Sequence, residues 1–390
     1  MTPHRAAERM ALIEPFHVME VMAMAQAMER SGRDVVHMEV GEPDFPTAGP
    51  IVEAGVRALR EDATHYTLAT GLPALRESIA NFYAHRYGCE VAPERIVITV
   101  GASGAFQLAL WPVVQPGDEV LLVDPGYPCN ANFVRLAGAQ PVLVPTHAEE
   151  GWRVSAEALA AALTPRTRAI ILASPANPTG VLVQPTELEA IAALARQHGI
   201  TLISDEIYHG LVYGEEARTA ADLDGDLFVI NSFSKYFGMT GWRLGWLVVP
   251  QARLRDVEKL AQNLFISPPT PAQHAALAAF QPETIGILET RRRAFQERRD
   301  FLAPAIRELG FGLPTLPGGA FYLYADCAAF STDSATFAKE LLAGAGVAVT
   351  PGLDFGPHSA RQHVRLAYTT SLERIQEGVS RMREFLSGRT

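Results

Sequence analysis

The chain is organised around Asn231-Ser232-Phe233-Ser234-Lys235-Tyr236-Phe237-Gly238-Met239-Thr240-Gly241-Trp242-Arg243-Leu244-Gly245. The apolar run before it, Leu227-Phe228-Val229-Ile230, reads as a buried strand, so Lys235 falls in a loop just past a strand end. Ser232 and Ser234 precede the lysine, and Arg243 follows it between Gly241 and Gly245. Two hydroxyls and a guanidinium make a phosphate clamp, because the forked donors of arginine match phosphate oxygens. A lysine beside such a clamp points to a Schiff base with a phosphorylated aldehyde, pyridoxal 5'-phosphate. Taken alone, the stretch also reads as a polar loop with a solvated lysine.

Outward from this loop the strand rhythm repeats. Residues 96–100, 119–123, 141–144, 169–172, 201–204, 227–230 and 244–249 read as strands, with helical patterns at 105–114, 131–136, 156–163 and 187–198. Such alternation predicts an α/β fold with a mostly parallel sheet covered on both faces, and ligands collect at the carboxyl ends of its strands. Each strand end carries a candidate. Gly101-Ala102-Ser103-Gly104 opens a helix and is either a tight turn or, beside Ser232, Ser234 and Arg243, the second wall of a phosphate site. Tyr127, in Asp124-Pro125-Gly126-Tyr127-Pro128, is either a turn tyrosine or an aromatic cap on a flat ring. Asp205 ends a strand, where a buried carboxylate needs a cation; a protonated pyridine nitrogen is one, and a helix cap or structural ion pair is the alternative. Tyr208 follows within reach of the pyridine 3-oxygen, and Glu206 reads as a structural acid.

These motifs, in this order, resemble those of the class I/II aminotransferases, the aspartate aminotransferase-like members of the fold type I pyridoxal-phosphate enzymes. The resemblance runs from about residue 13 to the C-terminus. It rests on Ser-x-x-Lys…Gly-x-Arg-x-Gly at 232–245, Asp-x-x-Tyr at 205–208 and Asn177-Pro178-Thr179-Gly180, where Ala176 departs from the usual asparagine. It implies a large cofactor-binding domain over 48–285 and a small α+β domain made of 1–47 and 286–390. It also implies roles that spacing alone does not give. Asn177 would meet the cofactor 3-oxygen and the substrate, the Gly41 amide and Arg365 would hold the substrate α-carboxylate, and Tyr66 would reach the phosphate of the neighbouring subunit in a homodimer. Read without the family, Gly41 is a turn glycine, Tyr66 a packing residue, and Arg365 a strand cation needing a partner.

The expected activity is transfer of an amino group from an L-amino acid to a 2-oxo acid by a ping-pong route, with Lys235 as general base. A carbon–sulfur β-lyase or an aminocyclopropane-carboxylate synthase would share every motif named. A cofactor-sensing regulator is not expected, because no basic DNA-binding region precedes the domain. Which donor is used stays open; the arm at 13–16 is expected to line the side-chain pocket and to favour apolar side chains. Bulk properties agree with a globular enzyme: 390 residues, 48% hydrophobic, 19% charged and a net charge of −10, which disfavours nucleic acid and anionic membranes. The cysteines Cys89, Cys129 and Cys327 have no metal-type spacing and fit a reducing cytoplasm. Residues 1–9 lack a signal-like apolar region, and no apolar run approaches the roughly 20 residues of a membrane span. The arginines at 291–293 and 298–299 are interleaved with Glu289, Glu297, Asp300 and Glu308, predicting a solvated, ion-paired helix face.

Overall fold

The seven runs expected to be strands come together in one sheet. The computed structural model describes residues 6–214 and 217–388. In chain order the strands are β1 (Val36–His37), β2 (Ile96–Thr99), β3 (Glu119–Asp124), β4 (Gln140–Pro145), β5 (Thr167–Ala173), β6 (Thr201–Asp205), β7 (Leu227–Ser232), β8 (Gly245–Val248), β9 (Tyr322–Asp326), β10 (Val347–Ala348), β11 (Thr350–Pro351) and β12 (His363–Ala367). The seven-stranded sheet has the order β2-β8-β7-β6-β5-β3-β4. All its neighbours are parallel except β8, which runs antiparallel to both β7 and β2.

Strand periodicity explains why both faces are covered. On β7, Leu227 and Val229 enter one core while Phe228 and Ile230 enter the other. The same split holds on β6 for Leu202 and Ile203, and on β5 for Ile170 and Ile171. Successive side chains point to opposite faces, so a continuous apolar run must be buried twice. The helices Gly101–Leu110 and Leu254–Leu264 cover one face; Pro73–Tyr87, Pro185–His198 and Pro282–Glu308 contribute to the other.

The C-terminal part carries the antiparallel sheet β11-β12-β9, flanked by the helices Ser334–Ala345 and Leu372–Ser387. The two-residue β1 pairs in parallel with β10, which brings the N-terminal segment onto this part. The short strands of this part follow their partners. β1 is only Val36–His37, because it forms where β10 is available to pair. The run 347–351 divides in two: β10 turns to β1, and β11 turns to β12 with Thr350 opposite Arg365. β9 begins at Tyr322, after Ala320 adopts a positive φ of 57°.

The basic helix also differs. Arg292 does pair with Glu289 at 2.7 Å one turn away. Arg298 and Arg299, however, are buried rather than solvated. Arg298 donates to both oxygens of Asp44 at 2.7 and 2.9 Å, and Arg299 donates to the carbonyl of Pro317 at 2.8 Å. Those two arginines tie the long helix to the loop after β1 and to the approach of β9. Among the described residues, no helix is long and apolar enough to cross a membrane.

Candidate active site

The carboxyl ends of β3, β5, β6 and β7 open into one cleft of about 410 Å³. Because β8 is antiparallel, the residues just before it reach the same edge, which is how Arg243 returns to Lys235. The cleft gathers Gly41, Ala102, Ser103, Tyr127, Asn177, Asp205, Tyr208, Ser232, Ser234, Lys235, Arg243 and Arg365. Gly104 is not gathered: it sits in the first turn of its helix, buried and turned towards Phe265. Tyr66, expected to reach the neighbouring subunit's site rather than this one, is 79% exposed.

At one end of the cleft the N-terminus of the helix Gly101–Leu110 faces the loop that bears Lys235. Gly101 has φ +67°, and a Cβ there would lie 2.6 Å from an Arg243 terminal nitrogen, so glycine suits both the turn and the approach. Arg243 donates to the Thr240 carbonyl at 2.9 Å and takes part in no ion pair among the described residues. Ser232 Oγ lies 3.0 Å from Ser234 Oγ and 3.0 Å from the Ser234 amide. Exposed guanidinium, hydroxyls and free helix amides together form an anion cradle.

Asp205, 4% exposed, accepts only the Ile207 amide, at 3.3 Å, and has no cation in ion-pair reach among the described residues. Burial pushes its carboxyl up to about 7, against smaller opposing effects of that amide and of Lys235. Its neighbour Glu206 is engaged structurally, accepting from Ser204, Thr219 and the Ala220 amide, in keeping with the role expected of it. Lys235 donates its Nζ to the Gly41 carbonyl at 2.8 Å. Desolvation, then the charges of Arg365 and Arg243, hold its amine down at about 8. The chain has only three lysines. The other two, Lys259 and Lys339, are exposed and ion-paired with Asp256 and Glu20, so Lys235 alone offers an amine in the cleft.

Opposite stands Arg365, 6% exposed and without a carboxylate partner among the described residues. Its terminal nitrogens donate to Asn177 Oδ1 at 3.0 Å, to the Glu39 carbonyl at 2.6 Å and to Thr350 Oγ1 at 3.2 Å. Its Nε is buried without a hydrogen-bond partner among the described residues. The ring of Tyr322 lies beneath it, 4.4 Å from the guanidinium carbon to the ring centroid. Tyr322 was not legible as a site residue. Its hydroxyl lies 2.8 Å from that of Tyr208, and a Cβ on Gly41 would collide with it. Burial raises both phenols, keeping them protonated. A strand pattern around 320–324 is the only local signal for Tyr322, and nothing in it announces a partner more than a hundred residues away.

The arrangement thus sets an anion cradle, a buried carboxylate and a nucleophilic amine at strand ends of the large sheet, facing a guanidinium from β12 that has no carboxylate partner among the described residues. The family described as "Aminotransferase class I and II" matches residues 33–382. A valine–pyruvate aminotransferase of Mycobacterium tuberculosis is 38% identical over 97% of this chain and 99% of its own length. A (5-formylfuran-3-yl)methyl phosphate transaminase of Methanocaldococcus jannaschii is also 38% identical, over 98% and 99%. A crystal structure of an aminotransferase from Mycobacterium tuberculosis superposes with a TM-score of 0.94 at 37% identity, covering 99% of this chain and 100% of that one.

Proposed function

Because this chain belongs to the class I and II aminotransferase family, we propose that its cleft holds pyridoxal 5'-phosphate on Lys235 and seats a substrate α-carboxylate on Arg365. The chain is an aminotransferase, moving an amino group between amino and 2-oxo acids. Its family works with pyridoxal phosphate. The observation that carries the proposal is the pair of buried, opposite, uncompensated charges on Asp205 and Arg365. Each is unfavourable alone, and a pyridinium nitrogen and a carboxylate would compensate them in turn. The rest of the cleft fits the same group. Arg243, Ser232, Ser234 and the helix amides at Ala102 and Ser103 suit its phosphate, Tyr127 suits a ring face, and Asn177 and Tyr208 suit its ring oxygen.

When bound, the cofactor supplies an electron sink for the carbanion left by loss of a substrate proton. The protein's part follows from its own groups. Arg365, oriented by Asn177, Thr350 and the Glu39 carbonyl, fixes the carboxylate and so the bond at Cα that faces the amine. Lys235, half-neutral near pH 8, would take the Cα proton onto Nζ and deliver it to the carbon that the cofactor would supply across the substrate nitrogen. Asp205 keeps a positive charge opposite it throughout, and Tyr208 with Tyr322 holds a proton between two phenols. The two half-reactions follow one another in ping-pong order.

We read 48–285 as the larger, cofactor-bearing domain and 1–47 with 286–390 as the smaller; 1–5 and 389–390 lie outside the described residues. A homodimer with shared sites is supported by the exposed apolar side chains Tyr66, Leu68, Leu264 and Ile266. The two segments that carry them approach each other where Thr270 Oγ1 donates to the His65 carbonyl at 2.6 Å. Three free cysteines suit a cytoplasmic setting. Borohydride reduction of the loaded protein, then peptide mass spectrometry, tests the attachment. Cofactor mass on the Lys235 peptide, absent from Lys235→Ala, is expected; label on Lys259 or Lys339 contradicts it.

A further inference from the structure

Relatives of equal identity are named for substrates as different as valine and a formylfuranyl methyl phosphate, so the family does not fix the substrate of this chain. Its own cleft is more informative. Once Arg365 takes the carboxylate and Lys235 the amine, the apolar lining left over includes Phe16 and Val18 from the N-terminal segment and Phe355 from the turn before β12. Asp354 holds these together. Its carboxylate accepts the His17 amide at 2.7 Å and the Val18 amide at 2.9 Å, pinning the start of the helix His17–Arg30 beside that turn. The ring of Phe355 packs against Arg365, 4.8 Å from centroid to guanidinium carbon.

The charges on this side are negative. Among the described residues, the cations lining the cleft are Lys235, Arg243 and Arg365, and each is already engaged by the reading above. Apart from Asp205, the other acids lining the cleft are Asp354 and Glu42, the latter accepting from Thr240 Oγ1 at 2.6 Å. Among this chain's own described residues, a second substrate carboxylate would meet like charge and no counter-ion. Nor does the cleft stop at Phe355. It adjoins a cavity of about 910 Å³, and the two share Phe16, Asp354 and Phe355 as walls. Beyond them the larger cavity is lined by Leu12, Pro15, Trp152, Val154 and Val181. Its two arginines are an exposed Arg153 and an Arg135 bonded to Asn132 Oδ1 at 3.0 Å.

We propose that the amino donor of this chain carries a bulky, uncharged apolar or aromatic side chain, received by Phe16, Val18 and Phe355, and that Phe16 sets the preference over dicarboxylic donors. This rests on the assignment of Arg365 to the α-carboxylate. The test uses non-reacting carboxylates as well as turnover. Calorimetry on the cofactor-loaded protein would compare 4-methylpentanoate and 3-phenylpropanoate with succinate and propanoate. The first two are expected to bind at least about 10-fold more tightly than succinate, and leucine or phenylalanine to exceed aspartate in kcat/KM. Phe16→Ala should weaken 3-phenylpropanoate about 10-fold or more, the worth of burying one aromatic side chain, and leave propanoate within about 2-fold. Tighter succinate binding, or an equal loss for propanoate in Phe16→Ala, overturns the inference alone. No binding of any of the four overturns the Arg365 assignment beneath it.

Discussion

Replacing Asp205 with asparagine should stabilise the cofactor-free chain while crippling the enzyme. Asn keeps an oxygen for the Ile207 amide, which Asp205 accepts at 3.3 Å, and removes only the charge. Burial raises the carboxyl from the ordinary 3.8 to about 7. A raised carboxyl binds more protons folded than unfolded between those values, so stability falls as pH rises through that window. At about 1.4 kcal/mol per pH unit, the ionised Asp205 destabilises the cofactor-free fold by about 1.6 kcal/mol at pH 5 and about 4 kcal/mol at pH 8, where the effect has levelled off. A chain of this length has an unfolding entropy of about 0.8 kcal/mol/K. The cofactor-free D205N variant should therefore melt about 5 °C above the parent at pH 8 and about 2 °C above it at pH 5. Added pyridoxal phosphate should raise the parent's Tm more than the variant's, and turnover of the variant should fall roughly 100-fold or more with the loss of an electrostatic partner. Differential scanning fluorimetry at the two pH values, with and without cofactor, reads all of this. A gap independent of pH, or a parent that melts higher at pH 8 without cofactor, would refute the reasoning.

Further outcomes follow from the same cleft. Lys235→Ala should lose at least about 100-fold in kcat as the general base is removed, measured by steady-state transamination. The rate at which cofactor-free protein captures pyridoxal phosphate should rise with pH to a plateau with an apparent pKa near 8 rather than 10.5, because the neutral amine reacts; stopped-flow absorbance gives the profile. Arg365→Lys should raise KM for the donor about 10-fold or more with a smaller effect on cofactor affinity, since a lysine cannot reproduce the forked contact. Tyr322→Phe leaves the Tyr208 hydroxyl without its 2.8 Å partner and should lower kcat while the melting temperature stays within about 2 °C; an unchanged kcat would remove the tyrosine pair from the mechanism.

Much of this cleft was legible from the chain, for a physical reason. Parallel strands of a doubly covered sheet must be apolar on both faces, so polar motifs such as Asn177-Pro178-Thr179-Gly180 and Asp205 mark their ends, where ligands gather. What escaped depends on pairing across long separations. Arg365 is oriented by Thr350, which lies opposite it only because a short run of chain divides into β10 and β11 with different partners. Tyr322 meets Tyr208, and Asp354 accepts the His17 and Val18 amides at the start of a helix, which holds the neighbouring Phe16 in place. Local pattern is silent about such contacts. Arg298 makes the converse point: interleaved acids suggested a solvated face, yet the side chain is buried because Asp44, far off in sequence, offers it both carboxylate oxygens. Gly104 shares a small-residue run with Ala102 and Ser103, but the helical turn carries it away from the cleft.

The assignment of transamination to Lys235 and its cleft is best tried by titrating the purified, pyridoxal-phosphate-loaded protein with single amino acids, with no 2-oxo acid present, and following its visible spectrum. The account predicts loss of the band of the lysine-bound cofactor, gain of the pyridoxamine phosphate band, and one equivalent of 2-oxo acid per site before the reaction stops. A band that persists while ammonia or pyruvate is released continuously would contradict it, as would a protein that acquires no such band from added cofactor.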